Sequence, residues 1–96
     1  MRKYELMTIY PVEDEKYNAS IALLREDLAS FGVTIEKEES YGDRDLPYEI
    51  RKNRRGRFVL LHIAANPAKI AEIDVKFKLN ANLLNYMFVL KDEKNA

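Results

Sequence analysis

RFVLLHIAANP, residues 57–67, reads as a strand that runs straight into a helix. After Arg57 the next eight residues are aromatic, β-branched or aliphatic with no internal breaker, the strongest strand signal in the chain. Asn66 then suits an N-cap and Pro67 the first helical position, where the absent N–H would have no partner anyway. Downstream, Ile70, Ile73 and Phe77 form one apolar stripe, and Lys76 and Lys78 favour the negative end of the helix dipole. LLNYMFVLK, residues 83–91, is expected to be a last strand, followed by a short polar tail over residues 92–96.

Upstream lies RKNRRGRF, residues 51–58, with five basic side chains and Gly56, which predicts a basic turn. LPYEI before it is extended, so the two segments form a hairpin, and VTIEKEESYG before that has the charged profile of an edge strand. Between Glu13 and Phe31 the period changes: Tyr17, Ile21, Leu24, Leu28 and Phe31 recur at helical spacing, acidic residues fill the first turn, and Gly32 follows as a C-cap. Residues 2–10 form a first strand ended by Pro11. The order β-α-β-β-α-β with right-handed crossovers predicts an α+β, ferredoxin-like sandwich: a four-stranded antiparallel sheet with two helices on one face. A chain of 96 residues has room for one such domain, 1–96.

Composition narrows the function classes. A content of 47% hydrophobic and 33% charged residues is that of a globular domain rather than a disordered one. There is no cysteine, so disulfides, thiolate metal sites and cysteine nucleophiles are excluded, and a reducing cytoplasmic setting is expected. No stretch has the apolar length of a membrane span, no membrane partner is expected, and the mature chain is expected to begin at Met1. A formal net charge of zero argues against wrapping nucleic acid over the whole surface. Polyanion binding must therefore be local.

Enzyme signals are poor. His62 is the one histidine, has no second ligand at metal spacing, and is expected to be structural. Ser20, Ser30 and Ser40 lack a nucleophile-elbow sequence, and Glu13, Asp14 and Glu15 are what a helix start favours without any metal. No catalytic residue, metal, cofactor or small-molecule substrate is expected.

Two surfaces could bind a macromolecule. Arg51, Lys52, Arg54, Arg55 and Arg57 could fork hydrogen bonds onto phosphates, or could pair with Glu36, Glu38, Glu39 or Glu49 on the neighbouring strand. Exposed pairs contribute only about 0 to 1 kcal/mol each, a weak reason to collect five cations, which tilts the reading toward a ligand. In RFVLLHIAA both alternating sets are largely apolar, and the first strand adds Met7 and Ile9, so the sheet face without helices should present an apolar patch suited to a protein partner. Base stacking of the RNA-recognition-motif type is not supported, because Arg57 stands where that motif's aromatic would follow Arg55 and Gly56.

Several segments together resemble the bacterial small ribosomal subunit protein six family. MRKYE resembles the family's start. The middle signature, aromatic-Gly-x-Arg-x-Leu-x-Tyr-x-Ile-x-Lys ending in Gly and an aromatic strand, is matched by Gly42, Arg44, Leu46, Tyr48, Ile50, Lys52, Gly56 and Phe58. NPAKIAEIDVKFKLNANLLNYMFVLK resembles the closing helix and strand. Tyr41 stands where Trp is common, Pro47 where a small residue is usual, and Asn85 where an Arg often precedes the last strand.

The resemblance implies a non-catalytic ribosomal protein that pairs with ribosomal protein eighteen and joins the central domain of small-subunit (16S) ribosomal RNA. On that basis Arg2, Lys3, Arg44, Lys52, Arg54, Arg55 and Arg57 are the RNA candidates. Tyr48, Ile50, Phe58 and Leu60 are the partner-interface candidates. The alternatives carried alongside are an acylphosphatase-type enzyme, disfavoured because the arginines do not follow the first strand, and a ligand-binding regulatory homodimer.

Overall fold

From Tyr4 to Tyr10 each even-numbered residue is buried and each odd-numbered one is partly exposed, the period-two signature of a strand with one covered face. This is β1 (Arg2–Tyr10) in the computed structural model, which describes residues 1–91. The other elements are α1 (Asp14–Ser30), β2 (Thr34–Ile50), β3 (Asn53–Ala65), α2 (Ile70–Lys78), entered through a 3-10 turn over Pro67–Lys69, and β4 (Asn85–Leu90). The polar tail expected over residues 92–96 lies outside the described residues. The sheet order is β2-β3-β1-β4 with every pairing antiparallel. This is the expected ferredoxin-like fold.

Both helices lie on the face carrying Leu6, Thr8 and Tyr10 of β1 and Val59, Leu61 and Ile63 of β3. Ile21, Leu24 and Leu28 of α1 and Ile73 and Phe77 of α2 close this core. Each such side chain contributes about 1.5 to 3 kcal/mol on burial, which is what holds the helical stripes to the sheet. The ends of the helices follow local chemistry. Gly32, at φ +73°, donates to Ala29 O, and Val33 donates to Leu28 O, the paired bonds of a left-handed helix stop. Asn66 Oδ1 accepts from Ala68 N at 3.0 Å, as its N-cap role requires.

Polar groups inside the core are matched with one exception. Thr8 Oγ1 donates to Val59 O at 2.8 Å, and Ser20 and Asn80 bond reciprocally, Ser20 Oγ to Asn80 Oδ1 and Asn80 Nδ2 to Ser20 O, both at 3.0 Å. Among the described residues, the Tyr10 hydroxyl is the one buried side-chain polar atom without a partner, and burial pushes its ionisation well above the ordinary tyrosine range. A buried hydroxyl lacking a bond costs about 1 to 3 kcal/mol. Tyr10→Phe should therefore leave stability unchanged or raise it by up to about 2 kcal/mol in urea unfolding. A loss above 1 kcal/mol would show that the hydroxyl is bonded in solution.

The hairpin departs from expectation in one respect. The turn is made by Arg51 and Lys52, both at positive φ (+48° and +68°), while Gly56 sits buried within β3 opposite Arg44. A two-residue link of this kind matches the strand twist but normally takes Asn-Gly, and the left-handed region costs a residue with a Cβ about 1 to 2 kcal/mol. Gly56 is needed instead for close approach. A Cβ there would lie 2.5 Å from Ile9 Cγ2 and 3.2 Å from Leu46 Cδ2. Because Ile9 is stiff at χ1 and held in the sheet, Gly56→Ala should cost about 1 to 3 kcal/mol.

β2 is the guarded edge of the sheet. Its register shifts between Ile35 and Lys37, between Ser40 and Gly42, where Gly42 takes φ +81°, and between Asp45 and Ile50. Pro47 lies in the last of these gaps, where no ladder N–H is required.

Candidate nucleic-acid and protein interface

Once the helices claim one face, alternation commits the other set of side chains to the opposite one. The register places Leu60, Met7 and Met87 in one row across three strands, with Phe58 beside Ile9 in a second. Val89 extends this apolar surface along β4, and Met87 and Val89 are 59% and 46% exposed. Phe58 and Leu60 thus take the face opposite the helices, where Phe58 is half-buried and Leu60, at 8% exposure, is buried among its neighbours. Tyr48 and Ile50 do not share it. They belong to the part of the hairpin beyond Tyr10, where β3 pairs with β2 alone, Ile50 next to the turn and Tyr48 standing out in the bulge. Met87 and Val89 were missing from the sequence-derived candidates, although strict alternation through NYMFVL would have revealed them once Tyr86 and Phe88 were assigned to the core.

One edge of the open face is polar. His62 Nε2 meets Glu39 Oε1 at 3.0 Å and Lys91 Nζ meets His62 Nδ1 at 2.8 Å. Since an ammonium can only donate, Nδ1 accepts and Nε2 carries the proton toward Glu39. Hydrogen bonds from His62 and Lys37 hold the Glu39 carboxyl below the usual carboxylate range.

The basic residues divide by what they already touch. Arg57 is largely enclosed: Nε and Nη2 bond Asp43 at 2.8 and 3.3 Å, Nη1 bonds Asp14 at 3.1 Å, Nη2 also reaches Val12 O, and the guanidinium lies 4.7 Å from the centre of the Tyr17 ring. These contacts raise its ionisation further above the ordinary arginine range and lower that of Asp43, the Arg57–Asp43 bond being the main cause of both. The expectation that Arg57 projects from a turn is therefore corrected. It lies on β3, facing the start of α1, because its parity in the strand is that of the core residues Val59 and Leu61.

Arg54 is 88% exposed, with Glu49 Oε2 at 3.6 Å. Arg55 lies 3.4 Å from Asp45 Oδ1 and donates to Asp43 O, and Arg44 donates to Tyr41 O. Lys52 is exposed at the turn. Of the acidic partners weighed from sequence, Glu49 is the one that meets the hairpin. Glu36 pairs with Lys3 at 2.6 Å, Glu38 with Arg25 at 2.7 Å and Glu39 with His62. Arg2 and Lys3 stand at the far end of β1, about 26 Å from Tyr10 at roughly 3.3 Å per residue. The structure thus gathers Arg44, Lys52, Arg54 and Arg55 on one hairpin and leaves Arg2 and Lys3 apart.

Comparison with known proteins adds an independent line. A family model described as Ribosomal protein S6 matches residues 3–90. The chain is 54% identical over 89 residues to small ribosomal subunit protein bS6 of Treponema denticola, covering 93% of this chain and 96% of that one. It is 33% identical over 92 residues to the bS6 of Treponema pallidum, covering 96% and 99%. The crystal structure of 30S ribosomal protein S6 from Thermotoga maritima superposes with a TM-score of 0.81 over 94% of this chain and 87% of that one, at 18% identity, a likeness of fold.

Proposed function

The chain belongs to the ribosomal protein S6 family, and from that premise we propose that it binds the central domain of small-subunit ribosomal RNA as half of a heterodimer with ribosomal protein eighteen. Membership makes it a protein of the small ribosomal subunit, located with the ribosome in the cytoplasm, and not an enzyme. The finer reading rests on one observation: an apolar sheet face that the chain's own helices leave uncovered, carried on the same β3 strand as a hairpin with exposed cations. The face suits a protein partner and the hairpin suits phosphates. With a net charge of zero, attraction to RNA has to come from such a local cluster of cations, and a partner adds contact area.

Arg44, Lys52, Arg54 and Arg55 are the cations proposed to meet RNA from the hairpin, with Arg2, beside the Glu36-bonded Lys3, proposed to meet a second strand. Arg57 serves inside the fold. If four phosphates are neutralised, log K against log salt should fall with a slope of about −3 to −4, by analogy with duplex DNA. The test is titration of the central-domain RNA fragment, with and without protein eighteen, over a range of salt. Binding should be tight only with the partner, and the Arg54→Ala, Arg55→Ala double variant should flatten the slope by about two. An unchanged slope would remove the hairpin from the RNA interface, and absence of binding in both mixtures would overturn the reading.

A further inference from the structure

The hairpin tip is more constrained than a solvated turn needs to be. Arg51 and Lys52 both take left-handed backbone without being Gly or Asn, a conformation that persists only where the surroundings enforce it. The enforcing contacts are visible. Arg51 Nη1 donates to Ala81 O at 2.7 Å and to Leu83 O at 3.2 Å, and Asn53 Nδ2 donates to Ile50 O and Arg51 O at 3.3 and 3.0 Å.

The receiving loop is itself anchored. Asn80 is buried and bonded both ways to Ser20, Leu83 belongs to the core, and Leu84 N donates to Ile9 O at 2.8 Å. A continuous run of bonds therefore leads from α1 through residues 80–84 to the hairpin tip. Among the described residues no carboxylate pairs with Arg51, so its charge serves backbone carbonyls alone.

We propose that Arg51 is a positioning residue: its guanidinium, held on the Ala81 and Leu83 carbonyls, fixes the hairpin tip so that Lys52, Arg54 and Arg55 meet phosphates already ordered. The inference rests on the hairpin's binding RNA, as read above. Its physical content is preorganisation, since a tip that must be ordered on binding gives up affinity equal to the conformational freedom it loses.

Glycine at either turn position separates this role from the alternatives, because glycine accepts positive φ without strain. Arg51→Gly removes the brace and the strain together. Its thermal midpoint should hold or rise, while affinity for the RNA fragment with protein eighteen should fall about tenfold with the salt slope unchanged. Lys52→Gly keeps the brace, relieves the same kind of strain, and should flatten the slope by about one. Wild-type affinity in Arg51→Gly would overturn the inference. So would a slope flattened by one, which would make Arg51 a phosphate contact, or a lowered thermal midpoint, which would make it an ordinary structural one. Failure of the wild-type protein to bind RNA would instead overturn the reading on which the inference rests.

Discussion

Replacing Met87 by Asp is expected to weaken association with protein eighteen about 30- to 1000-fold, the range of 2 to 4 kcal/mol that a buried hot-spot change commonly costs. Met87 shares a row with Met7 and Leu60 across the open face and is 59% exposed in the free protein. A partner docked there would bury the new carboxylate among apolar groups with no donor to meet it. The free protein should tolerate the change, because a substitution at an exposed site rarely moves stability beyond about 0.5 kcal/mol. Calorimetric titration with protein eighteen and a thermal melt of the free variant read the two effects separately. Val75→Asp, on the exposed side of α2, is the matched control and should bind normally. Equal affinity in Met87→Asp and wild type would place the partner on another surface.

Arg57→Ala should produce the largest loss of stability among the basic-residue variants, about 2 to 3 kcal/mol. One charge-assisted hydrogen bond contributes about 1.5 to 3 kcal/mol, and Arg57 makes several. The sum is discounted because Asp14 is exposed to water, so its pair with Arg57 is screened. The change also strips Tyr17 of its cation and leaves Val12 O without this donor.

The sign of the pH dependence follows from Asp43, whose folded-state pKa is depressed by Arg57. A depressed carboxylate stabilises the fold above its unfolded value, near 3.9, and that stabilisation disappears as pH falls through the lower folded value. The gap between wild type and Arg57→Ala should therefore be full at pH 7 and shrink below about pH 4. Arg57 itself stays charged throughout. Urea unfolding at pH 7 and pH 3 measures both, and a gap that does not narrow would mean that Asp43 is not the partner that matters.

Most of the architecture was legible because it depends on local periodicity. Tyr17 to Phe31 repeats at helical spacing, Asn66-Pro67 opens a helix, and Gly32 closes one, each for reasons contained within a few residues. The hairpin turn was misplaced for an equally physical reason. Glycine serves both turns and close approaches, and nothing near Gly56 in sequence says that Ile9 will press against it.

The candidate site was legible in residue type and less so in direction. RFVLLHIAA is apolar on both sides, so its sequence cannot tell which set faces the helices, and a shift of one residue would exchange them. Pairing with β1 decides it, giving Phe58 and Leu60 the face opposite the helices and Val59 and Leu61 the helix-covered face. The five cations of the knuckle look alike in sequence, yet strand parity turns Arg57 toward Asp14 and Asp43, and the left-handed turn sends Arg51 to the carbonyls of Ala81 and Leu83. By itself, then, the sequence determined the element order, the fold and the family, because these follow from the period and punctuation of neighbouring residues. Only the tertiary structure decided which cations stay exposed and which apolar residues lie on the face the helices leave uncovered. Both depend on contacts across 14 or more residues, where register and packing rather than residue type choose the partner.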